Sequence, residues 1–419
     1  MTATAFTFVF LAAVLLASLT RFWLASRQIR HVMRHRDRVP TEFADRIDPA
    51  KHRRAADYTV ARTRLGFVDV LVQVAFVLAM TLFGGLLAIQ SLLAQWLPDA
   101  PFARQVLLVV AVALLSGAVD LPLSWYRQFR LEQRFGFNRM TFALWLADLA
   151  KGTLVGAALG LPLVALVVWL MQRLGDSWWM WAWAAWMAFN LLVLVLFPTV
   201  IAPLFNRFEP LKDSELARRI DALLTRCGFR ARGVMVMDGS RRSAHGNAYF
   251  TGLGAAKRIV LFDTLVSRLS PPEIEAVLAH ELGHFRHRHV LKRIAFSFAM
   301  SLAGLALLGW LSQQPWFFQG LNAPPLHEPH ALALVLFGLI APFFTFALQP
   351  LASMASRRHE YEADRFAAEQ TGARDLISAL VKLYGDNAST LTPDPLHSAF
   401  YDSHPPAALR IGRLAQAAG

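Results

Sequence analysis

The chain is 419 residues long, 55% hydrophobic and only 17% charged, with a mean hydropathy of +0.39 and a formal net charge of +13. This composition points away from a soluble enzyme and toward a polytopic membrane protein. The positive balance comes without an interleaved aromatic and basic face, so it argues for anionic headgroups of a lipid bilayer and against nucleic acid, and the single Cys227 excludes an intramolecular disulfide.

A membrane-spanning helix needs about 20 predominantly apolar residues. Seven stretches qualify, near 4–25, 67–96, 104–126, 152–172, 177–205, 294–312 and 331–353, and the longest of them must tilt, bend or protrude. The first has no basic leader and no clear cleavage site before the Arg-rich run, so it reads as a retained helix and not as a signal peptide. Residues 26–65 carry a dense Arg run from Arg27 to Arg64, whereas 313–330 contain neither Lys nor Arg. The positive-inside rule therefore puts 26–65 in the cytosol. Counting spans from there leaves the amino terminus outside and 127–151, 206–293 and 354–419 on the cytosolic side. Arg outnumbers Lys about six to one, a composition of GC-rich bacterial genomes, so the expected setting is a bacterial inner membrane.

No low-complexity linker or internal repeat divides the chain, which reads as one integrated domain over 1–419. It comprises the first five spans with their loops (1–205), a cytosolic insertion (206–293), the last two spans (294–353) and a cytosolic C-terminal region (354–419). Within the insertion, 213–227 has amphipathic helical spacing. Val234-Met235-Val236-Met237 and Arg258-Ile259-Val260-Leu261-Phe262 read as strands around a loop of Gly, Ser and Asn, predicting a small β-flap. Its edge is a place for a peptide to add as a strand, although a two-stranded flap without that role fits equally well.

Next comes His280-Glu281-Leu282-Gly283-His284, an H-E-x-x-H run. Ser270 with Glu273 three residues on is a capping-box pattern, Pro271 suits a first helical position, and Ile274, Val277, Leu278 and Leu282 recur at helical spacing. On that helix His280 and His284 share a face and can hold one Zn²⁺, while Glu281 faces the water. A zinc site of this kind needs a third protein ligand and an open position. After the seventh stretch, Glu360 and Asp364 stand four residues apart in a charged run free of Gly and Pro. If it is helical, Glu360 can ligate zinc and Asp364 can accept the second N–H of a ligand imidazole, with His359 and Glu362 pointing elsewhere. A solvated juxtamembrane helix accounts for the spacing equally well. The basic run His287-Arg288-His289 is richer in His than such a site requires.

With these blocks assembled, the chain resembles the Ste24 family of CAAX prenyl proteases, integral-membrane zinc peptidases of the M48 group. The resemblance runs over nearly the whole length. It rests on Glu132-Gln133-Arg134-Phe135-Gly136-Phe137-Asn138, Pro203-Leu204-Phe205-Asn206, Asn247-Ala248-Tyr249-Phe250, the zinc motif, Glu360-Tyr361-Glu362-Ala363-Asp364 and Ser403-His404-Pro405-Pro406. It implies an all-α polytopic fold, seven helices enclosing an intramembrane chamber, and a gluzincin-like zinc site at the cytosolic end. It further implies His280, His284 and Glu360 as ligands of one zinc per chain, Glu281 as general base, and Asp364 as a carboxylate behind the ligands. His404 falls at a position for stabilising the transition state, Asn247 and Arg410 at substrate-binding positions, and His289 at a further family position, with His287 read as solvated. The implied partners are peptide or protein substrates, prenylated or membrane-associated.

Other readings remain open on the sequence. A membrane quality-control protease of the M48 group without CAAX preference shares the motif. A transporter would use Asp69 and Asp120, yet it leaves H-E-x-x-H without a task. A scaffold with structural zinc leaves Glu281 idle. A protease with the motif buried in a span conflicts with Glu273, Glu275, Arg286 and Lys292 around it.

Overall fold

The computed structural model describes residues 1–229, 233–251, 258–327 and 329–418. Among the described residues seven helical segments are long and apolar enough to cross a membrane, and each overlaps one stretch picked out by hydropathy. α1 (Ala3–Arg34) starts beneath Thr2, whose hydroxyl accepts the Ala5 N–H. It continues through the apolar stretch into the Arg-rich segment. α2 (Pro49–Met80) is capped by Asp48 with Pro49 in its first turn. Most of the segment expected as a cytosolic loop is thus helical, with only residues 35–48 left to turn the chain. The stretch 67–96 is not a single span. Gly84 adopts φ 80, open to glycine and costly to other residues, and the chain restarts as α3 (Gly85–Trp96).

α4 (Pro101–Tyr126) runs into a π-helical turn over Arg127–Glu132, where Arg127 pairs with Asp69 at 3.0 Å. α5 (Phe142–Arg173) and α6 (Trp178–Leu196) follow, the latter ending in a second π turn that holds Pro198, then α7 (Ala202–Phe205). The insertion contains β1 (Phe208–Pro210), α8 (Ser214–Arg226), β2 (Val234–Met237), β3 (Ala248–Thr251), β4 (Arg258–Phe262), the single turn α9 (Asp263–Val266) and α10 (Pro271–Arg286). α11 (His289–Leu311) is the sixth span. The charge-poor segment beyond it is a packed plug. There α12 (Pro315–Gly320) buries Phe317 and Phe318, with Phe6 of α1 against Phe317.

α13 (His330–Thr345) begins the seventh span and passes through a 3₁₀ turn, Phe346–Leu348, into α14 (Gln349–Thr371). α15 (Ala373–Asp386), α16 (Pro395–Tyr401) and α17 (Ala407–Ala418) close the chain. The expected two-stranded flap is a four-stranded sheet ordered β1-β2-β4-β3. The central pair is parallel, with Val234 opposite Ile259, and both edges are antiparallel.

Among the described residues, beside two small clusters, two large apolar cores result. One lies among the spans, around Phe10, Leu24, Leu86 and Phe317. The other is extramembrane, formed where α8, α10, α15, α17 and the sheet bury Leu216, Ile220, Ile259, Leu261, Ile274 and Leu376. The spans differ in how far they pack: in the most apolar window of the fifth, only 6% of residues are buried within the protein, against 44% in the seventh. A compact monomer of 46.7 kDa exposes roughly 16,000 Å², whereas this chain exposes 21566 Å². Helices that touch edge to edge leave two faces uncovered, the arrangement expected around a hollow.

Candidate active site

The N-terminus of α10 is pinned by its capping box, since Glu273 Oε2 accepts the Ser270 N–H at 2.7 Å. The same carboxylate accepts from Lys382 Nζ at 2.7 Å and Ser378 Oγ at 2.6 Å, tying α10 to α15. Burial disfavours the Glu273 charge, yet these donors hold its pKa below the ordinary carboxylate value. Further along, α14 crosses α10 at Gly283. A Cβ there would come within 2.9 Å of Ala363 Cα, so the crossing requires glycine.

This close approach brings Glu360 to the two motif histidines. His280 Nε2 and His284 Nε2 are 3.2 Å apart, 3.4 Å from Glu360 Oε2 and 3.3 Å from Glu360 Oε1 respectively. One ligand atom from each of the three residues lies within 4.8 Å of the others. Glu360 Oε2 is buried without a hydrogen bond. A buried carboxylate that closes on two imidazole nitrogens, with one oxygen making no hydrogen bond among the described residues, is the donor set of a divalent cation, and the residues fit a metal.

Asp364 lies one turn beyond Glu360, with Oδ1 2.9 Å from His280 Nδ1. Arg410 of α17 grips it from behind, Nε donating to Oδ2 at 2.8 Å and Nη2 to Oδ1 at 2.5 Å. Burial works against a charged His280, but hydrogen bonds to Asp364 and Glu360 reverse that and push its pKa up to about 9. The carboxylates that favour a proton on this ring favour any cation at its far nitrogen. Arg410 is buried, and Asp364 keeps it charged against the cost of that burial. Its guanidinium is thus engaged behind the ligands.

Glu281 is half-buried beside the ligands. Desolvation raises its pKa, with His280 and His284 pulling the other way. His404 stands 60% exposed, its Nε2 3.4 Å from Glu360 Oε2 and its Nδ1 3.0 Å from Ser403 Oγ. Desolvation against the ligand cluster lowers the His404 pKa, opposed by Glu360. Asn247 is exposed just before edge strand β3, its side chain accepting the Ala248 N–H at 2.8 Å. The structure therefore gathers His280, Glu281, His284, Glu360, Asp364, His404 and Arg410 at one site and puts Asn247 at the start of the sheet edge.

Gly283 has no signal of its role in the sequence, because that role depends on a neighbour brought to it by the fold. Behind His284 stands a further layer of side chains. His284 Nδ1 is 3.0 Å from His289 Nδ1, and His289 Nε2 is 2.9 Å from Glu362 Oε2.

Known proteins resemble this chain along most of its length. Residues 28–207 match a family model described as CAAX prenyl protease N-terminal, five membrane helices, and residues 210–418 match that of peptidase family M48. CAAX prenyl protease 1 of Saccharomyces cerevisiae is 34% identical over 90% of this chain and 88% of its own length. The chain belongs to peptidase family M48. Its CAAX prenyl protease 1 homolog in Mus musculus is 30% identical, covering 97% and 95% of the two chains. The crystal structure of S. mikatae Ste24p superposes with a TM-score of 0.91 at 30% identity, over 97% of this chain and 98% of that one. This M48 peptidase is an integral-membrane metalloendopeptidase. The transporter and scaffold readings fall with that membership, and Asp69 is occupied by its pair with Arg127.

Proposed function

We propose that this M48 peptidase is a zinc endopeptidase that cleaves prenylated peptides with a CAAX-like C-terminus, acting from the cytosolic side of a bacterial inner membrane. The observation that carries the reading is the convergence of His280, His284 and Glu360, each with one ligand atom within 4.8 Å of the others. Likeness to CAAX prenyl protease 1 along both halves of the chain supports the substrate class. Two imidazoles and one carboxylate are a borderline donor set that suits zinc, one per chain, better than an oxygen-seeking cation. The extramembrane core with its ligand helices lies in the segments placed in the cytosol by charge asymmetry, and the five, then two, spans frame it within one integrated domain.

Zinc in this setting supplies Lewis acidity toward a water and the scissile carbonyl. Glu281 takes the proton from the attacking water and returns it to the departing amine. Desolvation, which raises its pKa, makes it a better proton acceptor. His404, close to Glu360 and open to solvent, donates to the developing oxyanion, a contribution of about 2.7–4 kcal/mol for donors of this kind. Asp364 aims His280, and Arg410 holds Asp364. The substrate backbone adds along β3, with Asn247 at its entry and the apolar faces of the spans receiving its lipid.

The test is incubation of detergent-purified protein with paired prenylated and unprenylated CAAX peptides, with and without chelator, alongside Glu281→Gln. Expected are chelator-sensitive cleavage of the prenylated peptide and, in Glu281→Gln, retained metal with turnover lost by at least about 10²-fold. Equal cleavage of both peptides would favour the quality-control type of peptidase. Full activity of Glu281→Gln would remove Glu281 as the base.

A further inference from the structure

His284 and His280 face their shared centre identically, through Nε2, but are held from behind by different chemistry. His280 leans on a carboxylate, Asp364, whereas His284 leans on another imidazole, His289. His289 is buried, its ring stacked on His359 with centroids 4.0 Å apart and planes within 15°, and exposed His287 stacks more distantly at 5.6 Å. It is the first residue of α11, and the residue before it, Arg288, takes φ 56, a left-handed conformation unfavourable for a side chain with a Cβ. The chain accepts this turn between α10 and α11, and the turn delivers the His289 ring to the back of His284.

Hydrogen bookkeeping then leaves one arrangement. An imidazole that ligates through Nε2 carries its proton on Nδ1. The proton of His284 therefore points at His289 Nδ1, 3.0 Å away, which must present a lone pair. The proton of His289 then sits on Nε2, which faces Glu362 Oε2 at 2.9 Å, an acceptor without a competing proton. Glu362 is steadied from the other side by Arg358 at 3.4 Å. Every donor meets an acceptor along Glu362, His289 and His284, and the reverse orientation would put a proton on the nitrogen that faces Glu360.

We infer that His289 and Glu362 are positioning residues that lock His284 in its Nδ1–H tautomer and aim its Nε2 lone pair at the metal. The inference rests on the zinc reading above. The extra histidine in His287-Arg288-His289 thereby acquires a task, and Glu362, turned away from the metal on α14, acts through a helix that passes behind the site.

Full-length His289→Ala, His289→Asn and Glu362→Gln proteins test it, with zinc affinity measured by competition against a chelator, the visible spectrum of the cobalt-substituted protein, and thermal unfolding of each metal-free variant. His289→Ala is expected to lose about 10–100-fold in zinc affinity and to shift the cobalt spectrum. His289→Asn, whose amide oxygen can accept the His284 N–H, should recover part of both, and Glu362→Gln should lose less than His289→Ala. Zinc affinity of His289→Ala within about twofold of the unsubstituted protein, with an unchanged cobalt spectrum, overturns the inference. So does an equal loss in His289→Ala and His289→Asn that tracks an equal drop in metal-free unfolding temperature, since that pattern belongs to packing. A His284→Ala control that keeps its zinc would overturn the site reading itself, and the inference with it.

Discussion

Gly283 governs how near the two ligand helices come. Its missing Cβ lets Ala363 of α14 pack directly on α10, and Glu360 hangs one turn from that contact. Gly283→Ala adds one methyl group to a fully packed crossing, so it is expected to cost about 1–3 kcal/mol and to spread Glu360 away from His280 and His284. Thermal unfolding and chelator competition together check this, and a variant that keeps both stability and metal affinity would show that the helices yield. The candidate ligands His280 and His284 were legible because their spacing is local, four apart on one helix, whereas Glu360 with Asp364 shares that spacing with any solvated charged helix and needed the resemblance to be singled out. His289 and Glu362 were not legible as partners. Glu362 lies off the ligand face of α14, and His289 reaches His284 only through the left-handed turn at Arg288. Arg410 lies far along the chain from Asp364, and no spacing rule links them.

Among the elements, α10 depends most on its first turn. Glu273 closes the capping box and also receives Lys382 and Ser378 from α15, so one carboxylate ties the ligand helix to the extramembrane core. Its pKa is lower folded than unfolded, so its contribution is present above the ordinary carboxylate range and is lost as pH falls through the folded value. Glu273→Gln should therefore lower stability by about 1 kcal/mol at neutral pH, with the gap to the unsubstituted protein closing below about pH 4. Unfolding curves at the two pH values read this directly, and a gap that widens in acid would contradict it. The capping box, the amphipathic α8 and the strands β2 and β4 all announce themselves in the sequence, because each has its own periodicity or start signal. β1 and β3 do not: they are three and four residues long and sit at sheet edges. The seven spans were legible from hydropathy, whereas their extension into the Arg-rich segment was not, because there Ala55, Ala56 and Tyr58 pack against neighbouring elements and not against lipid.

At the scale of the molecule, the two cores belong to different solvents. The one among the spans gathers on the first and seventh and leaves most of the others' surface to the surrounding lipid. The other, around α10, is an ordinary aqueous core. Unfolding in detergent is accordingly expected in two steps, with chelator moving only the step that melts the extramembrane core. Cys227, the single thiol, is half-buried against that core and near Gln370, so its labelling rate reports that step alone. A single transition, equally sensitive to chelator by labelling and by calorimetry, would contradict the division. One continuous rod crosses it: α13, the 3₁₀ turn and α14 run from within the bilayer to Glu360. α13 alone is about 24 Å long, short of the roughly 30 Å hydrocarbon core, so the rod beyond it is drawn into the membrane's thickness. α10 answers to the aqueous core, while Glu360 is carried by a rod whose other end, α13, packs among the spans. A bilayer thick or thin enough to re-tilt α13 would move Glu360 against His280 and His284, and the spacing of those three side chains would then gauge the membrane in which the enzyme sits.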